Sequence, residues 1–279
     1  MKTIAIILGF FIIAQLLGIY TGTVITSEVN SNPYVNELVM TSNTEEPMNA
    51  MYFILYILFG AVMMMLLIKF FKNYGIIFRV MEFMMIATST SIVFYSFLRI
   101  GLGYEYSTLG GIILGLLFSG FRILKPQLKN TAAIMATAGV GVIFGISLGI
   151  IPLVIFLILL AIYDYLSVFM TKHMVELANF VVKKDLAFTV TAKAPPARPG
   201  EKEQRMDLGT GDMIAPIMLE VSALTFNPIA SVFVFFGAVI SMGIFLFFVW
   251  EKKMVLPALP PIVLGMIVAL LLGFLIGVY

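Results

Sequence analysis

The sequence predicts an all-α, polytopic membrane protein of nine spanning helices, with a cytoplasmic N-terminus and an extracellular C-terminus. Three observations carry this. Of 279 residues, 61% are hydrophobic and only 11% charged, whereas a soluble domain needs about a quarter charged residues to cover its surface. Mean hydropathy is +1.07. With the chain threaded through nine apolar segments, the basic residues fall 16 to 1 onto one side, the bias that marks cytoplasmic loops. A soluble globular domain, a disordered chain and a nucleic-acid binder are thereby excluded. Net charge is only +2, so the placement of charge informs and its sum does not. The absence of cysteine excludes disulfides, thiolate metal sites and cysteine nucleophiles. His173 is the single histidine, which leaves almost no material for histidine chemistry or a metal centre.

A spanning helix needs about 20 mostly apolar residues. The first candidate, 4–25, follows Lys2 and is long for a signal peptide with no clean cleavage site after it, so it reads as a retained helix. The loop 26–48 is acidic, with Glu28, Glu37, Glu45 and Glu46. Segments 49–70 and 78–99 follow, then 106–122, diluted by Gly110, Gly111 and Gly115. The stretch 130–171 as one helix would be about 60 Å long, so it folds back at Gly149 and Pro152 into 130–148 and 151–171. A break at Asn227-Pro228 separates 211–226 from 229–250, and 255–278 is last. The chain therefore divides into an N-terminal membrane region (residues 1–171), a cytoplasmic loop (172–208) and a C-terminal membrane region (209–279). Within the loop, Lys183-Lys184 precedes an alternating run, 186–191, that reads as a short strand. The Pro-rich 194–200 then reads as a linker.

Ionisable groups inside a bilayer are costly and usually functional. Four acids qualify: Glu82, Asp164, Asp212 and Glu220. Asp164 lies near the inner end of the sixth segment and Asp212 at the inner start of the seventh. Two consecutive antiparallel helices thus bring two carboxylates to comparable depth. Like charges a few ångströms apart share one proton. The ionised partner can deprotonate a water that attacks an amide carbonyl, while the protonated partner polarises that carbonyl and then protonates the leaving nitrogen. The pair titrates as a unit. The alternative is two separate acids, each held by backbone or a lysine, or an ion relay.

The surrounding motifs narrow this. Tyr163 precedes Asp164; Gly209-Thr210-Gly211-Asp212 opens the seventh segment; Pro257-Ala258-Leu259 opens the ninth. Each is weak alone. In this order, on these segments, they resemble the presenilin and signal-peptide-peptidase group of intramembrane aspartyl proteases. The resemblance implies that Asp164 and Asp212 are the catalytic pair and that Tyr163 shapes the site. It also implies that Gly209 and Gly211 allow close backbone approach, and that Pro257, Ala258 and Leu259 help position substrate. Thr210 departs from the leucine common in the group at a variable position, and counts with the substrate-binding residues. The inside N-terminus is presenilin-like, and the resemblance points to a microbial, archaeal-type homologue in the cell membrane. The partners it implies are transmembrane-helix substrates with weak central turns and the lipid bilayer, without cofactor, metal or nucleic acid. An unwound substrate needs new backbone partners; Phe188–Thr191, or the residues just before Gly209, are expected to supply them by pairing as a strand.

The other candidates read as structural. Glu82 is expected to pair with Arg79 at i+3. Glu220 lies eight residues after Asp212 on roughly the same face and reads either as a structural acid or as the lining of a water path. Asp207 lacks the glycine frame. Tyr20, Tyr104, Tyr106 and Trp250 read as interface anchors, and Gly141, Gly145 and Gly149 as a small-residue packing face. Two competing functions stay open from the residues alone. A secondary transporter or ion pathway would use the same acids; a silent scaffold would need neither.

Overall fold

The computed structural model describes residues 2–70, 74–171, 186–194, 204–252 and 256–279. Lys183-Lys184, the Pro-rich linker and His173 lie outside the described residues. Among the described residues nine long helices follow the nine apolar segments: α1 Lys2–Glu28, α2 Met48–Phe70, α3 Tyr74–Leu98, α4 Tyr104–Leu124, α5 Lys129–Ser147, α6 Ile150–Leu166, α7 Thr210–Phe226, α8 Pro228–Lys252 and α9 Leu259–Leu275. Seven are long and apolar enough to cross a membrane, α6 being counted together with the turn that carries it on to Phe169; α7 and α9, at 17 residues each, are shorter.

The breaks occur where local chemistry demands them. Gly149, extended at φ −67° and ψ 170°, caps α6, and its N–H donates to the Thr44 carbonyl at 2.8 Å. The segment 40–44 is latched to the same turn: Met40 N–H donates to Ser147 Oγ at 2.9 Å and Thr41 Oγ1 to the Ser147 carbonyl at 2.5 Å. Asn227 is extended and its side chain accepts from Ile229 N–H at 2.8 Å, so α7 stops and α8 restarts at Pro228.

The centre of the fold is α7, packed by α1, α5, α6, α8 and α9. From Ala215 to Ala223 every residue is buried, so α7 is enclosed on all sides; apart from Glu220 and Ser222 the residues of that run are apolar, as an enclosed helix requires. Its neighbours approach closely because they offer glycine. A Cβ on Gly18 of α1 would lie 2.5 Å from Ile217 Cγ2, and one on Gly141 of α5 the same distance from that atom. One turn on, Gly22 and Gly145 flank Val221, at 2.6 and 2.7 Å. Two branched side chains of α7 thus each sit between two glycines. The packing face read at Gly141 and Gly145 is real, and Gly18 and Gly22 extend it to a second helix.

Immediately before α7 two antiparallel strands, β1 Thr189–Ala194 and β2 Gln204–Gly209, pair Thr189 with Gly209 and Thr191 with Asp207. The strand expected at 186–191 begins three residues later, because Leu186 and Ala187 are buried lead-in residues and Ala187 N–H is bound by a side chain. Tyr20 is more than an interface anchor: its hydroxyl donates to the Ser96 carbonyl at 3.1 Å and ties α1 to α3.

Overpacking of a closely packed helix contact costs about 1–3 kcal/mol. Gly141→Ala is therefore expected to lower the thermal midpoint of the purified protein. Gly9→Ala, where a Cβ meets nothing within 4 Å, is expected to leave it unchanged.

Candidate active site

Asp164 lies in the last turn of α6 and Asp212 in the first turn of α7. The two helices pack together, and the carboxylates lie within electrostatic reach of each other. Both are half-buried. Each also sits at a helix N-terminus, where unbonded amides favour negative charge: Asp212 on its own helix, Asp164 at the start of α9. There Leu259 N–H donates to Asp164 Oδ2 at 3.4 Å. Pro260 and Pro261 follow; they pre-set the helical φ where their missing N–H groups cost nothing.

The turns carrying the acids are irregular. Beyond Asp164, residues Ser167–Thr171 form a π-helical turn, a feature often found at functional sites. Ser167 Oγ donates to the Asp164 carbonyl at 2.9 Å. In α7, Pro216 lacks the N–H that would bind the Asp212 carbonyl four residues back.

The remaining predicted site residues fall around this pair. Tyr163 is half-buried and within electrostatic reach of Asp164. Pro257, Ala258 and Leu259 are buried. At Gly209 a Cβ would lie 3.2 Å from Asp212 Oδ2, a side-chain contact and not an approach of backbone. Gly211 does not show the expected close approach; a Cβ there meets nothing within 4 Å, and the residue is exposed. Thr210 faces the hairpin, its N–H and hydroxyl both donating to the Phe188 carbonyl at 3.1 Å. Asp207 is held on the hairpin by Thr191 Oγ1 at 2.5 Å and by Arg205 at 2.8 and 3.0 Å. Among the described residues no three histidine, aspartate or glutamate side chains are placed to hold a metal ion.

Three polar contacts fix the hairpin beneath the acids, and sequence reasoning missed their partners. Glu82 does not pair with Arg79. It is buried at 4% exposure, forms an ion pair with Arg122, whose Nη2 lies 3.2 Å away, and accepts from Ala187 N–H at 2.8 Å. The reason is topological: α3 packs along α4, which brings residue 122 to residue 82, whereas the i+3 partner would hold Glu82 at the surface. Asn130 brackets Thr191, donating to its carbonyl at 2.8 Å and accepting from its N–H at 3.0 Å. Lys129 Nζ donates to Thr191 Oγ1 at 3.2 Å. Nothing in the sequence around Asn130 or Lys129 points to residue 191.

The family model described as signal-peptide peptidase, presenilin aspartyl protease matches residues 8–278. Among solved structures, one titled a presenilin family intramembrane aspartate protease, in a C222 crystal form, superposes with a TM-score of 0.70 at 22% identity, over 98% of this chain and 99% of that one. The P2 form of such a protease gives 0.68 at 22%, over 96% and 97%. At this identity the structures show a shared fold. A comparison with curated proteins gives no match.

Removing one partner of a buried ion pair costs about 3–5 kcal/mol. Arg122→Met is expected to lower thermal stability and to speed hydrogen exchange at Ala187 and along β1. Unchanged exchange there would mean that Glu82 does not anchor the hairpin.

Proposed function

The chain belongs to the signal-peptide peptidase and presenilin aspartyl protease family, and from that premise we propose that Asp164 and Asp212 are the two carboxylates with which this aspartic endopeptidase cuts transmembrane segments. The observation that carries the assignment is the meeting of the three motifs. Leu259 N–H reaches Asp164, Gly209 lies against Asp212, and the two acids, on the packed helices α6 and α7, lie within electrostatic reach of each other.

The mechanism follows from one shared proton. The ionised carboxylate takes a proton from water as its oxygen attacks the scissile carbonyl. The protonated carboxyl donates to the carbonyl oxygen, and the amine leaves with a proton as the carbonyl re-forms. The Leu259 amide and the start of α9 hold Asp164 in place, and the absence of a Cβ at Gly209 gives the Asp212 carboxylate room. Tyr163, Pro257 and Ala258 wall the site, and open space at Gly211 leaves room for an extended substrate. Thr210 acts through the hairpin it closes.

We place nine helices across the cell membrane with the N-terminus inside, on the 16-to-1 partition of basic residues. At about 25 Å, α7 is short for a span, but its protein sheath removes the need to match the hydrocarbon. The ion-pathway alternative gains no support from the family.

Substrate is expected to add to β2 and not to β1. Thr191, which pairs with Asp207, turns its N–H and carbonyl toward Asn130. The pair is therefore of the non-hydrogen-bonded kind, and Asp207 turns its own N–H and carbonyl to the opposite edge. Asn130 covers the edge of β1; the edge of β2 at Asp207 leads to Gly209 and the acids.

In liposomes with a single-span substrate, cleavage within the span, read by mass spectrometry, is expected for the unaltered protein and absent from Asp164→Asn and Asp212→Asn, each checked for folding. Cleavage surviving either change removes that residue from the pair. Asp207→Pro removes an outward N–H without a β1–β2 bond. It is expected to raise KM relative to Asp207→Ala; equal KM values would end the role of β2 as a template.

A further inference from the structure

Glu220 takes no part in the mechanism above, yet it is fully buried in α7, two turns beyond Asp212. Among the described residues no cation lies within ion-pair distance of it. Its polar neighbour is Gln15, equally buried on α1. The Gln15 amide lies between two groups of α7. One end is 3.1 Å from both oxygens of Glu220. The other end donates, through Nε2, to the Met213 carbonyl at 3.3 Å.

The nitrogen and oxygen of an amide are alike in shape, and exchanging them would turn the NH2 to both Glu220 oxygens; donor counting separates the two settings. An amide has one NH2 and one oxygen. The Met213 carbonyl only accepts, so it takes the NH2. The amide oxygen then faces Glu220, and two oxygens at 3.1 Å need a proton between them. An ionised Glu220 would instead draw the NH2 to itself and set the amide oxygen against the Met213 carbonyl. It would also place a charge in a buried, cation-free site, the costlier arrangement.

We propose that Glu220 is a neutral hydrogen-bond donor to Gln15, and that the Glu220–Gln15–Met213 chain positions the first turn of α7, which carries Asp212. The proposal rests on the assignment of Asp212 made above. That turn needs an external hold, because Pro216 deprives the Asp212 carbonyl of its helical donor. Gln15 supplies it one residue away, from the face of α1 that also bears Gly18 and Gly22. Glu220 and Gln15 are positioning residues, remote from the reacting atoms.

Glutamine at 220 can donate from its own NH2, and it cannot ionise. Glu220→Gln is therefore the conservative rescue, expected to keep kcat within about threefold of the unaltered protein. Glu220→Leu and Gln15→Leu each leave a buried polar group without its partner and are expected to lower kcat by about tenfold with KM unchanged. The double change Gln15→Leu/Glu220→Leu removes both groups and is expected to be less than multiplicative. Infrared spectra of the protein in lipid at neutral pH are expected to show a carboxylic-acid carbonyl band that disappears in Glu220→Gln. The absence of that difference, or loss of cleavage in a folded Glu220→Gln, overturns the proposal; the second result would make Glu220 an ionising participant. If the unaltered protein cleaves nothing, the catalytic assignment fails, and the infrared difference still decides whether Glu220 carries the proton.

Discussion

A helix that carries a carboxylate into a membrane protein's centre has to be sheathed on every side and yet be held in one register. In α7 the same contact does both. Ile217 and Val221 each project between a glycine of α1 and a glycine of α5, so the backbones close in until no lateral gap remains. Lipid offers helices little hydrophobic drive to associate, and small residues that permit close packing take its place. The arrangement of α6, α8 and α9 around α7 follows from that seating.

Polar groups then fix what apolar packing leaves free. At the hairpin end, Glu82, Arg122, Asn130 and Lys129 hold the hairpin by its lead-in and by Thr191. Thr210 joins hairpin to helix through the Phe188 carbonyl. Where α1 ends, Glu28 accepts from Arg99 Nε at 2.6 Å and from the Tyr95 hydroxyl, tying α1 to α3. Each anchor joins segments distant in the chain, and Glu82 and Asn130 supply partners to backbone groups of the hairpin.

That division explains what the amino-acid sequence made legible. Spans, breaks and the two aspartates are encoded locally, by apolar run length, by Gly149 and Asn227-Pro228, and by short motifs around each acid. The partners of buried polar residues are not. Glu82 has a plausible cation three residues away, and only the α3–α4 contact reveals Arg122. Gln15 gave no sign of Glu220. Gly18 and Gly22 were within reach of the rule applied to Gly141 and Gly145. The strand register needed β2, since an alternating run alone does not say what it pairs with.

Branched side chains lodged between opposed glycines act as detents. Turning α7 about its axis would drive Ile217 and Val221 out of both notches at once, so the glycine pairs fix the rotational setting at which α7 presents Asp212. The neighbouring end of α6 is seated by another means: its backbone widens into a π turn, Tyr165, Leu166 and Phe169 are exposed, and the Leu259 amide of the last helix reaches Asp164, so the two acids take their settings from two different kinds of contact.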